Sequence, residues 1–100
     1  MTAIVWEFEV AAEHAAEFER HYGPAGEWAQ LFRRDAAFRG TTLLHDHNNP
    51  GRYLTIDHWD DLESYEAFRA EYGVQYQEID KRTEGLTKSE RRSGVFTVVS

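Results

Sequence analysis

The chain has 100 residues, with 11 basic and 18 acidic side chains, a formal net charge of −7, no cysteine and 14% aromatic residues. This length suits a single domain over residues 1–100 with one modest core. The acidic balance argues against nucleic acid and anionic membrane surfaces as partners, and the lack of cysteine excludes disulfides, thiol nucleophiles and thiolate metal sites. No basic-then-apolar leader and no window of membrane-spanning length occurs, so a cytoplasmic location is expected.

Residues 2–10 alternate Ile4, Trp6, Phe8 and Val10 against Ala3, Val5, Glu7 and Glu9, the period-2 pattern of a half-buried strand. Residues 12–22 turn helical with Ala15, Phe18 and Tyr22 on one side. Gly23-Pro24 interrupts that pattern, because proline cannot continue the hydrogen-bond ladder. A second helical piece over about 24–34 carries Trp28, Leu31 and Phe32. Gly40 opens a strand over Thr41 to His47, and Asn48-Asn49-Pro50-Gly51 is a turn signal.

Arg52 to Trp59 alternates again, with Leu54 and Ile56 on one face and Tyr53, Thr55, Asp57 and Trp59 on the other, so 41–59 reads as an antiparallel hairpin. Asp60 followed by Glu63 resembles a capping box. Beyond it Leu62, Tyr65, Phe68, Tyr72, Tyr76 and Ile79 form one apolar stripe, which predicts a single helix over about 61–82. A polar connector, Thr83 to Ser93, leads to a last strand, Gly94 to Val99.

The order β-α-β-β-α-β predicts a ferredoxin-like α+β fold, with an antiparallel sheet covered by helices on one face. Apolar residues fall on both faces of the predicted strands. That favours pairing of two sheets in a homodimer over a solvated back face.

The β-α-β-β-α-β order, the length and Trp59 closing the third strand before an amphipathic helix resemble the antibiotic biosynthesis monooxygenases, and Val-Trp-Glu-Phe-Glu-Val (5–10), Tyr-Gly-Pro (22–24), Arg-Tyr-Leu-Thr-Ile-Asp (52–57) and Glu-Gly-Leu-Thr (84–87) resemble a small bacterial subgroup of mostly unassigned function within them. The resemblance spans nearly the whole chain and implies a dimeric α+β barrel with a ligand pocket between sheet and helices in each subunit. Characterised members include cofactor-independent oxygenases of polyketide-derived aromatics, quinol oxygenases and haem-degrading enzymes. The haem-degrading relatives carry a helix histidine about ten residues after the tryptophan, where this chain has Phe68-Arg69-Ala70. They also carry a first-strand asparagine, where this chain offers only Glu7 and Glu9 as polar groups. The resemblance therefore points away from haem, and no cofactor is expected.

A cofactor-independent oxygenase draws its electrons from the substrate, so the protein supplies an apolar cavity, a base and donors for the resulting anion. The candidate catalytic residues are His58, Glu7 and Trp59, with His45 as a further base. Trp6, Trp28, Tyr65, Arg69, Tyr72 and Tyr76 are candidates for binding a small aromatic substrate, the tyrosines or Arg69 holding its oxyanion. His58 shares a strand face with Leu54 and Ile56, the face expected to point at the helices. Core packing competes for the tyrosine stripe and for Trp59.

His45 and His47 share a strand face about 7 Å apart. The expected hairpin register sets Arg52 opposite His47 and His58 near Thr41, so no third ligand joins them and no metal site is expected. The Thr83–Ser93 connector reads as a solvated loop or as a lid over a partner's pocket. Two other functions fit the same residues: a non-catalytic dimer that binds a small aromatic ligand or serves an accessory role, and an isomerase or cyclase using the same base.

Overall fold

The computed structural model describes residues 1–100. Its strands are β1 (Thr2–Glu9), β2 (Phe38–His45), β3 (Arg52–Trp59) and β4 (Ser89–Thr97). Its helices are α1 (Ala15–Tyr22), α2 (Glu27–Phe32), α3 (Leu62–Glu71) and α4 (Gly73–Thr83). The strands form one antiparallel sheet in the order β2-β3-β1-β4. The helices pack on one face, so the ferredoxin-like α+β expectation holds.

The core lies between that face and the helices. From β1 it takes Ile4, Phe8 and, just beyond the strand, Val10; the helices contribute Phe18, Tyr22, Trp28, Phe32, Tyr65, Phe68 and Ile79. Its aromatic rings meet edge-on or stacked, with Phe18 lying 4.3 Å from Tyr22 and Phe32 5.4 Å from Phe68 between centroids.

Four local expectations are corrected. The first concerns β2, which runs Phe38–His45 and not 41–47. Its register against β3 shifts between Phe38 and Gly40, where Gly40 takes φ 114°, a conformation that L side chains rarely adopt. From the turn onward His45 pairs with Tyr53, Thr41 with Asp57 and Gly40 with His58, one residue away from the expected register before the shift at Phe38 is reached. Secondly, the predicted long helix is two helices, parted at Tyr72 (φ −104°, ψ 26°) just before Gly73. Thirdly, Asp61 and not Asp60 caps α3, accepting a hydrogen bond from the Ser64 amide at 2.7 Å, while Asp60 pairs with Arg39. Lastly, β4 starts at Ser89, inside the predicted connector, because its polar first half pairs with β1 through Glu7↔Arg91 and Phe8↔Glu90.

The largest correction concerns the faces of β3. Tyr53, Thr55, Asp57 and Trp59 are buried toward the helices, and Leu54, Ile56 and His58 lie on the open side. A sheet with apolar groups on both faces gives aliphatic content no power to choose between them. The aromatic layer of α1, α2 and α3 selects the aromatic side. The open side carries Val5, Leu54 and Ile56 with the more exposed Leu44 and Phe96, beside an ion-pair cluster of Glu7, Asp46, Arg52 and Arg91.

Candidate active site

A cavity, open at its mouth, lies between the covered sheet face and the helices. The sheet supplies Trp6 and Phe8 from β1, Thr41 from β2, Thr55 and Asp57 from β3, and Glu90 from β4. Tyr22, Trp28, Phe32, Tyr65, Tyr76 and Asp80 enter from the helices. Every strand and every helix thus contributes, which makes the cavity a product of the whole fold. Trp28 meets Tyr76 edge-on at 4.7 Å, joining α2 to α4 along the wall.

Asp57 is the buried one of the three carboxylates that line this cavity, Asp57, Asp80 and Glu90. It is 8% exposed, and its Oδ1 accepts a hydrogen bond from Thr41 Oγ1 at 2.7 Å. Burial pushes its pKa up to about 6, against the opposing pull of the Thr41 hydroxyl. A carboxyl with that pKa is ionised at neutral pH and more basic than an ordinary aspartate. It suits proton abstraction from a weakly acidic phenol or anthrone.

Tyr65 and Tyr76 offer donors on the opposite wall. Arg69 Nη1 donates to Tyr65 Oη at 3.2 Å, and its guanidinium lies 3.9 Å from the centre of the Tyr76 ring. Tyr65 Oη thus uses a lone pair on a cation, and its hydroxyl hydrogen is available as a donor. Burial raises the Tyr76 pKa, so that phenol stays protonated. Trp28 Nε1 is buried, with the Tyr22 hydroxyl as its nearby polar partner.

Of the ten candidates singled out from sequence, the structure brings four together in the lining: Trp6, Trp28, Tyr65 and Tyr76. Arg69 stands behind the two tyrosines. Tyr72 stacks on Phe68 at 4.8 Å under the Arg34 guanidinium, away from the cavity lining. Trp59 is fully buried among Phe32, Phe38, Tyr65 and Phe68, and it too is absent from the lining.

Glu7 lies on the open face of the sheet, where Arg52 and Arg91 hold its carboxyl below the usual range, which weakens it as a base. His58 lies on that open face as well, with Nδ1 buried and unpartnered. His45 stacks on Tyr53 at 4.2 Å and bonds the Pro50 carbonyl through Nε2, outside the cavity lining. No group of three or more His, Asp or Glu side chains is arranged to hold a metal ion.

Asp57 is the residue that sequence reasoning missed. Its signal was present: a lone charge in the middle of a strand face otherwise made of Tyr53, Thr55 and Trp59. A charge on a face that aromatic groups bury is expensive to keep without a use.

No helix is long and apolar enough to cross a membrane. The model of the antibiotic biosynthesis monooxygenase family matches residues 1–75. No curated protein matches the chain in sequence. Among solved structures, an antibiotic-biosynthesis-monooxygenase-type protein of Deinococcus radiodurans is 24% identical with a TM-score of 0.74, covering 100% of this chain and 94% of its own. A variant of SnoaB, a cofactor-independent oxygenase of Streptomyces nogalater, is 24% identical with a TM-score of 0.72, covering 99% and 93%. A variant of MhuD with two manganese protoporphyrin IX molecules bound per active site is 21% identical with a TM-score of 0.75, covering 100% and 96%. At these identities the likeness carries the fold alone. With three quarters of its length matched by the family model, this chain belongs to the antibiotic biosynthesis monooxygenase family.

Proposed function

We propose that the protein is a cofactor-independent monooxygenase of a small aromatic, polyketide-like substrate, acting in the cytoplasm as a homodimer. The observation that carries this reading is Asp57, a buried carboxylate with a raised pKa in an aromatic cavity. In the proposed reaction Asp57 takes a proton from the phenol or from the activated CH₂ of an anthrone. Tyr65, backed by Arg69, donates to the oxygen on which the charge settles. The anion reduces dioxygen and combines with it, and the hydroperoxide so formed loses water to leave a carbonyl. One oxygen atom enters the product and the other leaves as water, with all electrons supplied by the substrate. Trp6 and Trp28 offer flat apolar surface for the rings.

The testing experiment is oxygen uptake with an anthrone such as dithranol, measured above the uncatalysed rate. Catalysed uptake with the quinone as product is expected. Saturable binding without uptake would contradict the proposal and favour a non-catalytic ligand-binding dimer.

Support for the homodimer comes from the uncovered sheet face, where Leu44 and Phe96 are 43% and 53% exposed beside Val5, Leu54 and Ile56. Sedimentation at micromolar concentration is expected to give a dimer, and Ile56→Arg a monomer. A wild-type monomer would contradict the proposed sheet pairing.

A further inference from the structure

The two carboxylate oxygens of Asp57 are not equivalent. Oδ1 accepts from Thr41 Oγ1 at 2.7 Å, and Oδ2 has no hydrogen-bond partner in the protein. Oδ2 is not among the atoms sealed from solvent without a partner, so it keeps open surface, and Asp57 lines the cavity. The other titratable groups of that lining are Tyr22 on α1, Tyr65 on α3, Tyr76 and Asp80 on α4, and Glu90 on β4. None of them bonds Asp57, and neither does Arg69 behind the phenols nor Arg92, which stands opposite Trp6 on β4. Thr41 alone holds the carboxylate.

The sequence of β2 is built to put a hydroxyl there. Thr41 stands opposite Asp57 and Gly40 opposite His58, so an uninterrupted ladder would set Arg39 opposite Trp59. Phe38 takes that place instead, its ring 5.3 Å from the Trp59 ring, while Arg39 pairs with Asp60. Gly40, at φ 114°, absorbs the extra residue. A Cβ at Gly40 would meet nothing within 4 Å, so the glycine answers a demand of the backbone and not of packing. The bulge lets β2 serve both needs: Phe38 closes the core against Trp59, and Thr41 meets Asp57.

We propose that Thr41 is the positioning residue of the base: by holding Oδ1 it fixes the plane of the carboxylate and presents Oδ2 to the substrate, so Oδ2 is the atom that receives the proton. This rests on the oxygenase reading for the substrate, whereas the hold of Thr41 on the carboxylate is tested without one. Because a hydroxyl donor favours the ionised form, the same bond keeps the base ionised at lower pH than burial alone would allow.

Three variants of the full chain test this. Thr41→Val keeps the shape and strand preference of the side chain, Thr41→Ala removes most of it, and Thr41→Ser keeps the hydroxyl. In a carboxyl NMR titration the Val and Ala variants are expected to move the Asp57 midpoint up by about one pH unit, the shift that loss of one hydrogen bond to a charged group brings. The Ser variant should stay near the wild type. With dithranol and oxygen, the acid limb of the kcat/KM profile should move with that midpoint. At pH 8, where the carboxylate is ionised in every variant, turnover should be about 10-fold lower in Val than in wild type and restored in Ser. An unmoved midpoint in Val and Ala, or a Ser variant that shifts as they do, would overturn the hold of Thr41 on Asp57. A moved midpoint with wild-type turnover at pH 8 would overturn the positioning role. Absence of catalysed uptake by the wild type would overturn the oxygenase reading, while a midpoint moved by Val and kept by Ser would still support the Thr41–Asp57 bond.

Discussion

Replacing Asp57 with asparagine is expected to lower oxygenase turnover by about 10²–10⁴-fold, the usual cost of losing a positioned base, and at the same time to stabilise the fold above pH 6. The two effects have one origin. The folded-state pKa of Asp57 is raised from 3.8 to about 6, so the folded protein holds this proton more tightly than the unfolded chain does. Below about pH 4 both states are protonated and the group contributes nothing to the pH dependence. As pH rises from about 4 to about 6, the unfolded chain releases the proton first and stability falls. Above about 6 both states are ionised, and the folded protein carries a buried charge at a cost of about 2–3 kcal/mol. Asparagine keeps an acceptor for Thr41 Oγ1 but has no charge to bury. Urea unfolding of both proteins at pH 4 and pH 8 checks the sign: the variant should gain little at pH 4 and about 1–3 kcal/mol at pH 8. Equal stability at both pH values with full activity would contradict the assignment. The activity of the wild type should rise with pH through about 6, as the carboxylate forms.

The two core tryptophans are expected to respond differently. Trp59 is completely buried, touches four aromatic rings and lies outside the cavity lining, so Trp59→Ala should cost about 3–5 kcal/mol of stability. Trp28 lines the cavity, and Trp28→Ala should weaken binding of a small aromatic probe such as a naphthol about 10-fold or more even where the variant is fully folded. Denaturation midpoints and fluorescence-independent calorimetric titration separate the effects. A Trp59→Ala protein of near wild-type stability that binds poorly would place Trp59 in the site instead.

The element order was legible because Ile4, Phe8 and Val10 against Glu7 and Glu9, and the turn at Asn48–Gly51, are local signals. What was not legible depended on partners distant in the chain. The turn sets His45 opposite Tyr53, one residue off the expected hairpin register, and a one-residue shift changes which side chains stand opposite each other. The polar start of β4 becomes strand only because β1 supplies its hydrogen-bond partners and Glu7 pairs with Arg91.

The faces of β3 had to be chosen between Leu54 and Ile56 on one side and Tyr53 and Trp59 on the other. Only the aromatic layer of the helices decides that choice. Its outcome moved His58 out of the candidate site and Asp57 into it. The break at Tyr72–Gly73 was hidden because Tyr72 and Tyr76 continue the apolar spacing across it. Trp28, Tyr65 and Tyr76 were legible as aromatic wall, since helical spacing places them on inward faces whether they fill a core or line a cavity.

The measurement that bears most directly on the account is a side-chain carboxyl NMR titration of Asp57, assigned by the loss of its signal in Asp57→Asn. The account predicts a midpoint near pH 6 in the free protein. A midpoint near the ordinary aspartate value of about 4 would mean a solvated, unremarkable carboxylate and would contradict its role as the base.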